Sequence, residues 1–257
     1  MIVNKDEMIN EEIHIDPLIR ANLWEELPRL EQVTLDSGRY YTKDDEKYYS
    51  VTTIIDAAKT VGSKNAIEAW KKAEIADGKD PSRYSREGEH MHSLIEYYYR
   101  NNYSYPPLEQ CKGRGYTLFK QYDIGFLKNT HVIPHIIEGR LYTEVDGMKY
   151  AGTVDLVATI QTEPEGPKRL ALIDHKSISK MGNASSKRKG YIAQLAAYAK
   201  AIKDKYGKTV DVCILNFASE KGFKSYEIEM PEVLEQWDQF YYKLESFYRK
   251  GVFPKSE

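Results

Sequence analysis

Residues 170–176, with the sequence LALIDHK, decide the fold that this chain is expected to adopt. The segment GTVD at residues 152–155 lies about one hairpin upstream. Both segments are short, rich in aliphatic residues and bounded by turn residues, which is typical of strands. Side chains alternate along a strand, so Asp174 and Lys176 are predicted on one face, about 6–7 Å apart, with His175 on the other.

A reaction centre would form if Asp155 lay opposite Asp174 on the neighbouring strand. Two carboxylates can hold a hard divalent cation, and a lysine beside them can orient or deprotonate a water molecule. That combination is suited to the hydrolysis of a phosphodiester. The alternative is a solvated strand end with a weak surface ion pair, which is the more frequent reason for an Asp-x-Lys sequence.

Four further segments accompany this one. In chain order the five segments are YSVTTI (49–54), GEHMHSLIE (88–96), AGTVDLV (151–157) preceded by Glu138, IDHKS (173–177) and GYIAQLAAY (190–198). Together they resemble the PD-(D/E)XK nuclease superfamily. They are most similar to its RecB-type exonuclease branch, which includes phage exonucleases and the mitochondrial genome maintenance exonuclease. Tyr49 departs from that pattern, because proline is preferred there.

The resemblance implies an α/β (α+β) fold with a restriction-endonuclease-like core, in which helices flank a central mixed β-sheet. An N-terminal helical subdomain is expected beside it. We therefore predict a hairpin and helical region at residues 1–130, which contributes His92, and a nuclease core at residues 131–257, packed as one unit. Residue patterns predict strands at 133–143, 148–161, 169–177, 210–218 and 223–228, helices at 191–206 and after Pro231, and helical pieces within 52–102 that break near Gly62 and 78–81.

The resemblance also implies roles for individual residues. Asp155 and Asp174 would bind Mg²⁺ or Mn²⁺ with the backbone carbonyl of His175, and Lys176 would position water or stabilise negative charge on phosphorus. His92 would help to hold the metal or the scissile phosphate. For a lone helical histidine the alternative is a hydrogen bond to a backbone carbonyl. Burial and neighbouring carboxylates shift the pKa of Lys176 in opposite directions, and both outcomes stay open.

One further acidic ligand has two candidates. Glu138 and Glu144 both precede Asp155 by a suitable distance, and Glu138 is favoured because it follows an apolar run at residues 132–137. On the following helix, Gln194 and Tyr198 are one turn apart. The resemblance implies that this pair contacts the active-site strand and the DNA backbone, with a structural role as the alternative for Tyr198.

The net charge of −2 requires any DNA-binding surface to be local. Lys187, Arg188 and Lys189 are predicted in the connection between the Asp174 strand and the Gln194 helix, where we expect them to contact substrate. By the same resemblance, Trp70 and the helices before Gly88 would form an arch over single-stranded DNA.

Composition excludes several classes of protein. Two cysteines are too few for a four-cysteine iron–sulfur cluster, which some RecB-type relatives carry. The sequence has no run of 18 apolar residues, so no membrane association is expected. Residues 1–7 lack the basic and apolar regions of a signal peptide. We therefore expect a cytoplasmic protein, with phage origin and action in the host cytoplasm as one interpretation.

The sequence thus predicts a metal-dependent DNA exonuclease that acts on single-stranded ends during replication, recombination or repair. DNA is the expected partner, with a single-strand-binding or recombination protein as a further one. A duplex-end recombination exonuclease of the lambda type and a catalytically silent DNA-binding scaffold are the alternatives. A sequence-specific or RNA-directed endonuclease is disfavoured, because no appended specificity domain is evident.

Overall fold

The computed structural model of the chain describes residues 15–25, 27, 30–251 and 253. Residues 1–7, where the sequence shows no signal-peptide pattern, lie outside the described residues. Within them the strands are β1 (Glu31–Leu35), β2 (Gly38–Lys43), β3 (Glu46–Ser50), β4 (His131–Val145), β5 (Met148–Gln161), β6 (Arg169–Ser177), β7 (Val212–Ser219) and β8 (Gly222–Glu229). The α-helices are α1 (Pro17–Arg20), α2 (Val51–Ala57), α3 (Val61–Ala76), α4 (Arg83–Arg100), α5 (Gly113–Tyr122), α6 (Ala184–Tyr206) and α7 (Met230–Lys250). A π-helical turn (Asp123–Leu127) follows α5, and a short 3₁₀ turn (Met181–Asn183) precedes α6.

All eight strands belong to one mixed sheet in the order β1-β2-β3-β5-β6-β7-β8, with β4 paired to β5. β4 pairs with β5 along its length and therefore covers one edge. On the other edge, β3 pairs with Tyr150 and Ala151, while β6 pairs with residues 156–160. Residues 152–155 are left without a strand partner on that edge. This gap is where Asp155 lies.

Two tight turns set the geometry of the β2–β3 and β4–β5 hairpins, whose strands lie beside the gap. Asp44 and Asp45 connect β2 to β3 with φ values of 51° and 63°, and Asp146 and Gly147 connect β4 to β5 with φ values of 49° and 77°. Two consecutive positive φ values are typical of the type I′ turn, which suits the twist of paired strands. The register of β4 against β5 therefore follows from their turn as far as Ile136, where it shifts before Pro134.

Helices cover both faces of the sheet. On one face, α2, α6 and α7 enclose a core that includes Leu195 and Phe240. On the other face, α4 and α5 enclose a second core around Leu94 and Phe119. The helix α3 differs from these, because none of its side chains is buried. No helix among the described residues is long and apolar enough to cross a membrane.

The predicted fold class is confirmed, and the strands lie close to their predicted positions. One helix boundary was wrong, because α6 begins at Ala184 rather than at residue 191, whereas α7 begins at Met230, just before Pro231. The three helical pieces predicted within 52–102 are confirmed as α2, α3 and α4, with the first break at residues 58–60, close to Gly62. The strands of residues 1–130 join the same sheet as the later strands, and the proposed domain division stays a prediction.

Candidate active site

Asp155 occupies the gap on the edge of β5. The pairing between β5 and β6 ends at Leu156 and Ile173, one residue before Asp155 and Asp174 face each other. There the Oδ2 atom of Asp155 accepts a hydrogen bond of 2.6 Å from the backbone N–H of His175. The side chain thus supplies the acceptor that a continued strand would have provided, and this bond fixes its orientation.

Glu138 reaches the same point from β4. Its φ of 48° lies in the left-handed region, which is rarely adopted outside glycine and costs about 1–3 kcal/mol. The next residue, Gly139, packs so closely on Ile136 that a Cβ there would lie 2.2 Å from the Ile136 side chain. The Glu138 carboxylate lies 3.3 Å from Nδ1 of His92. Backbone strain of this kind is concentrated at functional sites.

His92 on α4 joins the two carboxylates. Its Nδ1 atom lies 3.3 Å from Glu138 and 3.6 Å from Asp155, while Nε2 lies 2.9 Å from the carbonyl oxygen of His175. The helix approaches closely because Gly88 has no side chain, and a Cβ there would lie 2.9 Å from Oγ of Ser177. Both sequence-based interpretations of His92 therefore describe its position: it contacts a backbone carbonyl and it faces the acidic residues.

Charge on His92 follows from these neighbours. Burial lowers the pKa of the imidazole, but Asp155 and Glu138 together raise it to about 9. At neutral pH without a metal ion, both ring nitrogens carry protons and donate to the oxygens around them. The imidazolium is then the counter-ion of the two carboxylates.

Lys176 and Asp174 form a second, more deeply buried pair. The Nζ atom of Lys176 lies 2.8 Å from Oδ1 and 2.7 Å from Oδ2 of Asp174, and 5.0 Å from the centre of the Tyr191 ring. Burial lowers the pKa of Lys176, but Asp174 and Asp155 outweigh it and raise the pKa above its usual range. Lys176 therefore remains protonated at neutral pH, which decides the question that the sequence left open.

Asp174 does not belong to the group of described residues whose ligand atoms lie close together, which is formed by His92, Glu138 and Asp155. The residue is 2% exposed, and besides Lys176 its carboxylate contacts the amide nitrogen of Gln194 at 3.4 Å. Burial raises the pKa of Asp174 above its usual range, while Lys176 opposes this shift. In this arrangement its carboxylate positions Lys176.

Gln194 and Tyr198 lie in the interior, which agrees with the predicted contact to the active-site strand and with the structural alternative for Tyr198, while their contact with DNA stays a prediction. Gln194 is buried and donates to the hydroxyl of Tyr198 at 3.2 Å. Tyr198 is also buried, over Gly152, where a Cβ would lie 2.6 Å from its ring. Gln194 contacts Asp174 directly and Tyr198 contacts Gln194, so the pair lies behind Asp174 in the interior.

The basic triplet does not form one patch, which is a further correction. Since residues 187–189 lie inside α6, their side chains diverge by about 100° per residue. Arg188 forms an ion pair with Glu232 of α7. Lys189 lines a groove beside the same helix, whereas Lys187 lines a separate cavity with Trp70.

The first group of residues fits a divalent cation. Ligand atoms of His92, Glu138 and Asp155 all lie within 4.8 Å of one another. Two carboxylates suit Mg²⁺ or Mn²⁺, and an added imidazole favours the transition metal. The rival Glu144 is about half exposed and lies 3.9 Å from Lys149, away from this group. Burial and Glu138 raise the pKa of Asp155, a shift that a bound cation would reverse.

One residue of the site was missed by sequence analysis. Tyr191, under Lys176, is three residues before Gln194 and so on the same side of α6. That spacing was the available signal.

Comparison with solved structures supports the fold. A candidate exonuclease from Eubacterium rectale superposes with a TM-score of 0.50 at 14% identity, over 80% of this chain and 83% of that one. The protein SSO0001 aligns at 13% identity over 78% of each chain with a TM-score of 0.37, too low to carry an argument. No protein-family model matches the chain, and no curated protein matches its sequence. The mixed sheet with flanking helices is thus a fold shared with the Eubacterium rectale protein.

Proposed function

We propose that this protein is a metal-dependent nuclease that hydrolyses phosphodiester bonds of DNA. The observation that carries the proposal is the convergence of His92, Glu138 and Asp155 within 4.8 Å, with protonated Lys176 held by Asp174 on the adjoining strand. The fold shared with a candidate exonuclease is consistent with it. A positive φ at Glu138 and carboxylates that lie close together cost stability, which a catalytically silent scaffold would not need.

His92, Glu138 and Asp155 would hold Mg²⁺ or Mn²⁺, with the carbonyl of His175 adjacent to them. The bound cation would act as a Lewis acid and lower the pKa of a water molecule. His92 must release a proton from its imidazolium before a ring nitrogen can act as a ligand. Nδ1 faces the two carboxylates, so its proton would be the one released, and Nε2–H would keep donating to the carbonyl of His175.

Lys176 supplies positive charge and no base. Its protonated Nζ is fixed by Asp174, so it can donate a hydrogen bond to the attacking water or to a phosphate oxygen. Negative charge that develops on phosphorus is stabilised by such a pre-positioned donor, and removal of one donor typically lowers a rate by about 10²–10³-fold. Gln194 and Tyr198 act further away, because they hold Asp174 in place.

The finer proposal is that the enzyme is an exonuclease for DNA ends with single-stranded character. It is supported by α3, which projects beside the site with no buried side chain and carries the exposed Trp70. If α3 and α4 enclose the path to the site, a strand must enter by its end. Linear single-stranded DNA should then be degraded and the same molecule as a closed circle should resist.

Digestion of end-labelled single- and double-stranded DNA, with Mg²⁺, Mn²⁺ or EDTA, tests the proposal. We expect shortening of the single strand that requires the metal and stops in EDTA. Preference for blunt duplex ends would favour the lambda-type alternative. Cleavage in chelator would exclude the metal mechanism, and binding without cleavage under all conditions would favour a silent scaffold. Equal rates on circular and linear single strands would exclude threading.

A further inference from the structure

A cavity of about 340 Å³ lies next to the reaction centre and has no part in the chemistry described so far. Its volume falls in the range of small-ligand pockets, which begins at about 300 Å³. Its lining comes from four separate elements: Trp70 on α3, Tyr84 on α4, Arg114 on α5 and Lys187 on α6, with the residues Ser177, Ile178 and Ser179 that end β6 and follow it.

The position of the cavity links it to the reaction centre. Ser177 in its wall directly follows Lys176, and Tyr84 lies eight residues, about two turns, before His92 on α4. Eight residues of helix correspond to about 12 Å. A strand with its scissile phosphate beside His92 and Lys176 would therefore bring a neighbouring nucleotide to this cavity.

Two aromatic and two basic side chains line the cavity, and they differ in whether they already have a partner. The Trp70 ring lies 5.5 Å from the Tyr84 ring at an angle of 52°, and Trp70 is 43% exposed, so part of its surface is open to the cavity that it lines. Tyr84 itself is occupied by Arg83, whose guanidinium lies 4.6 Å from its ring centre. Arg114 is neutralised by Glu87 at 2.6 Å and Glu220 at 2.8 Å.

Lys187 is the basic residue of this cavity that remains available. It is exposed, and no described carboxylate forms an ion pair with it. The cavity therefore offers one partly exposed aromatic ring, one uncompensated ammonium group and the hydroxyl groups of Ser177 and Ser179. These groups are complementary to a base and a phosphate that belong to the same nucleotide.

We propose that this cavity binds the unpaired nucleotide that neighbours the scissile phosphate, with its base on Trp70 and its phosphate on Lys187. The inference rests on the proposed function, since it names the substrate class of the same site. A base that is still paired cannot turn its face to Trp70, so the cavity selects single-stranded DNA. Stacking also makes no distinction of sequence, because every base has such a face.

An abasic scan tests the base-binding part. The probe is a fluorescein-labelled single-stranded oligothymidylate, together with the same oligomer carrying one abasic residue at successive positions. Binding is measured by anisotropy without divalent metal ions. In the wild type, one abasic position should weaken binding about 5- to 150-fold. Trp70→Ala should weaken binding of the intact oligomer similarly and should no longer respond to that position, while Trp70→Phe should retain part of the response.

Matched variants separate this role from a structural one. Ile75→Ala removes another exposed side chain of α3, 62% exposed, and should bind like the wild type. Lys187→Gln should reduce the slope of log affinity against log salt by about 0.7, the value for one phosphate of a single strand, whereas Lys189→Gln should not. Unchanged abasic sensitivity in Trp70→Ala, or equal slopes for the two lysine variants, would overturn the inference.

Cleavage of the intact oligomer with Mn²⁺, measured in parallel, keeps the two proposals apart. Cleavage together with an unaltered abasic pattern in Trp70→Ala would leave the nuclease proposal standing and refute the cavity. Binding with the expected abasic pattern but without cleavage would support the cavity and refute the nuclease proposal. No binding of the oligomer by the wild type would refute the cavity directly.

Discussion

The reaction centre and α3 lie on either side of one cavity, and they are held in opposite ways. Around the reaction centre, His92 has partners for both ring nitrogens, Asp155 is fixed by a backbone amide, and Lys176 by both oxygens of Asp174. By contrast, α3 has no buried side chain. It is attached to α4 by the Trp70–Tyr84 contact and by Glu74, which accepts hydrogen bonds from Arg83 and Tyr84.

This difference matches the demands of the two tasks. Stabilisation of a transition state requires donors and charges that are already in position, because their reorganisation would raise the barrier. A segment that receives a flexible strand needs low local stability, which is where binding elements are commonly found. We therefore expect substitutions at the reaction centre to change the rate of cleavage, and substitutions in α3 to change binding with the fold intact.

The largest expected effect is that of Lys176→Ala. Cleavage should fall by at least about 10²–10³-fold, since one fixed donor is lost, while DNA affinity changes little because one lysine supplies few phosphate contacts. The initial rate with Mn²⁺ and the anisotropy of labelled DNA measure the two quantities. Lys224→Ala is the control, because Lys224 also lies over a tyrosine ring, 4.8 Å from Tyr226, but is exposed. A rate for Lys176→Ala near that of the wild type would show that the reaction centre was wrongly assigned.

A smaller effect should distinguish two glutamates. Glu138→Gln removes one charge from the group of three ligands and should weaken Mn²⁺ binding by about tenfold or more. Glu144→Gln, on the same strand but beside Lys149, should bind Mn²⁺ like the wild type. Isothermal titration calorimetry with Mn²⁺ measures both. If Glu144→Gln gave the larger loss, the cluster around His92 would not be the metal site.

The pH dependence of stability should report His92. Its pKa is raised from about 6.5 in the unfolded chain to about 9 in the folded protein. The stabilisation from its charge is therefore fully present below the lower value and is lost as the pH rises through the higher one. In EDTA, the thermal midpoint should fall between pH 7 and pH 9 in the wild type. The fall of the thermal midpoint should be smaller in His92→Gln. His131→Gln is the control, because His131 is exposed, and it should show the same fall as the wild type.

The smallest effect on stability is expected for the attachment of α3. Glu74→Gln weakens a contact with Arg83 of 3.2 Å at the surface, worth about 0–1 kcal/mol, so the thermal midpoint should hardly move. Amide hydrogen exchange should nevertheless become faster in α3 and stay slow in α4. Lys71→Gln is the control, because it removes an ion pair with Glu68 that lies within α3. Its exchange rates in α3 and α4 should equal those of the wild type. Equal acceleration in both helices would show that α3 is not held separately.

Strand positions could be predicted because their signals are local. β5 alternates in part, β6 opens with a short apolar run, and Asp146-Gly147 marks a tight turn. The start of α6 could not be found in this way. Gly190 and the polar residues before it suggested a loop, but Ala184 is fully buried and secures the first turn against the core. Tertiary packing thus outweighed a weak local preference.

In the candidate site, too, some features could be predicted from local sequence and others depend on tertiary packing. His92, Glu138, Asp155, Asp174 and Lys176 were named from motif order, and the structure brings them near one another. The choice between the two roles of Tyr198 could not be made from the sequence, because its burial depends on the space that Gly152 leaves for its ring. The cavity at Trp70 likewise depends on how α3 meets α4, a contact between side chains distant from any motif.

The gap on β5 has a consequence for how this protein can change in length. β5 is held in register by three neighbours at once: β3 at one end, β6 at the other and β4 throughout. A strand tied to one partner can absorb a deleted residue by sliding, but a slip of one residue turns every side chain to the opposite face. Between Ala151 and Leu156, substitutions can be tolerated at some positions, whereas insertion or deletion of a single residue would turn Asp155 away from His92. Variation in length is therefore expected in the connections, such as the one between β5 and β6, and not in this strand.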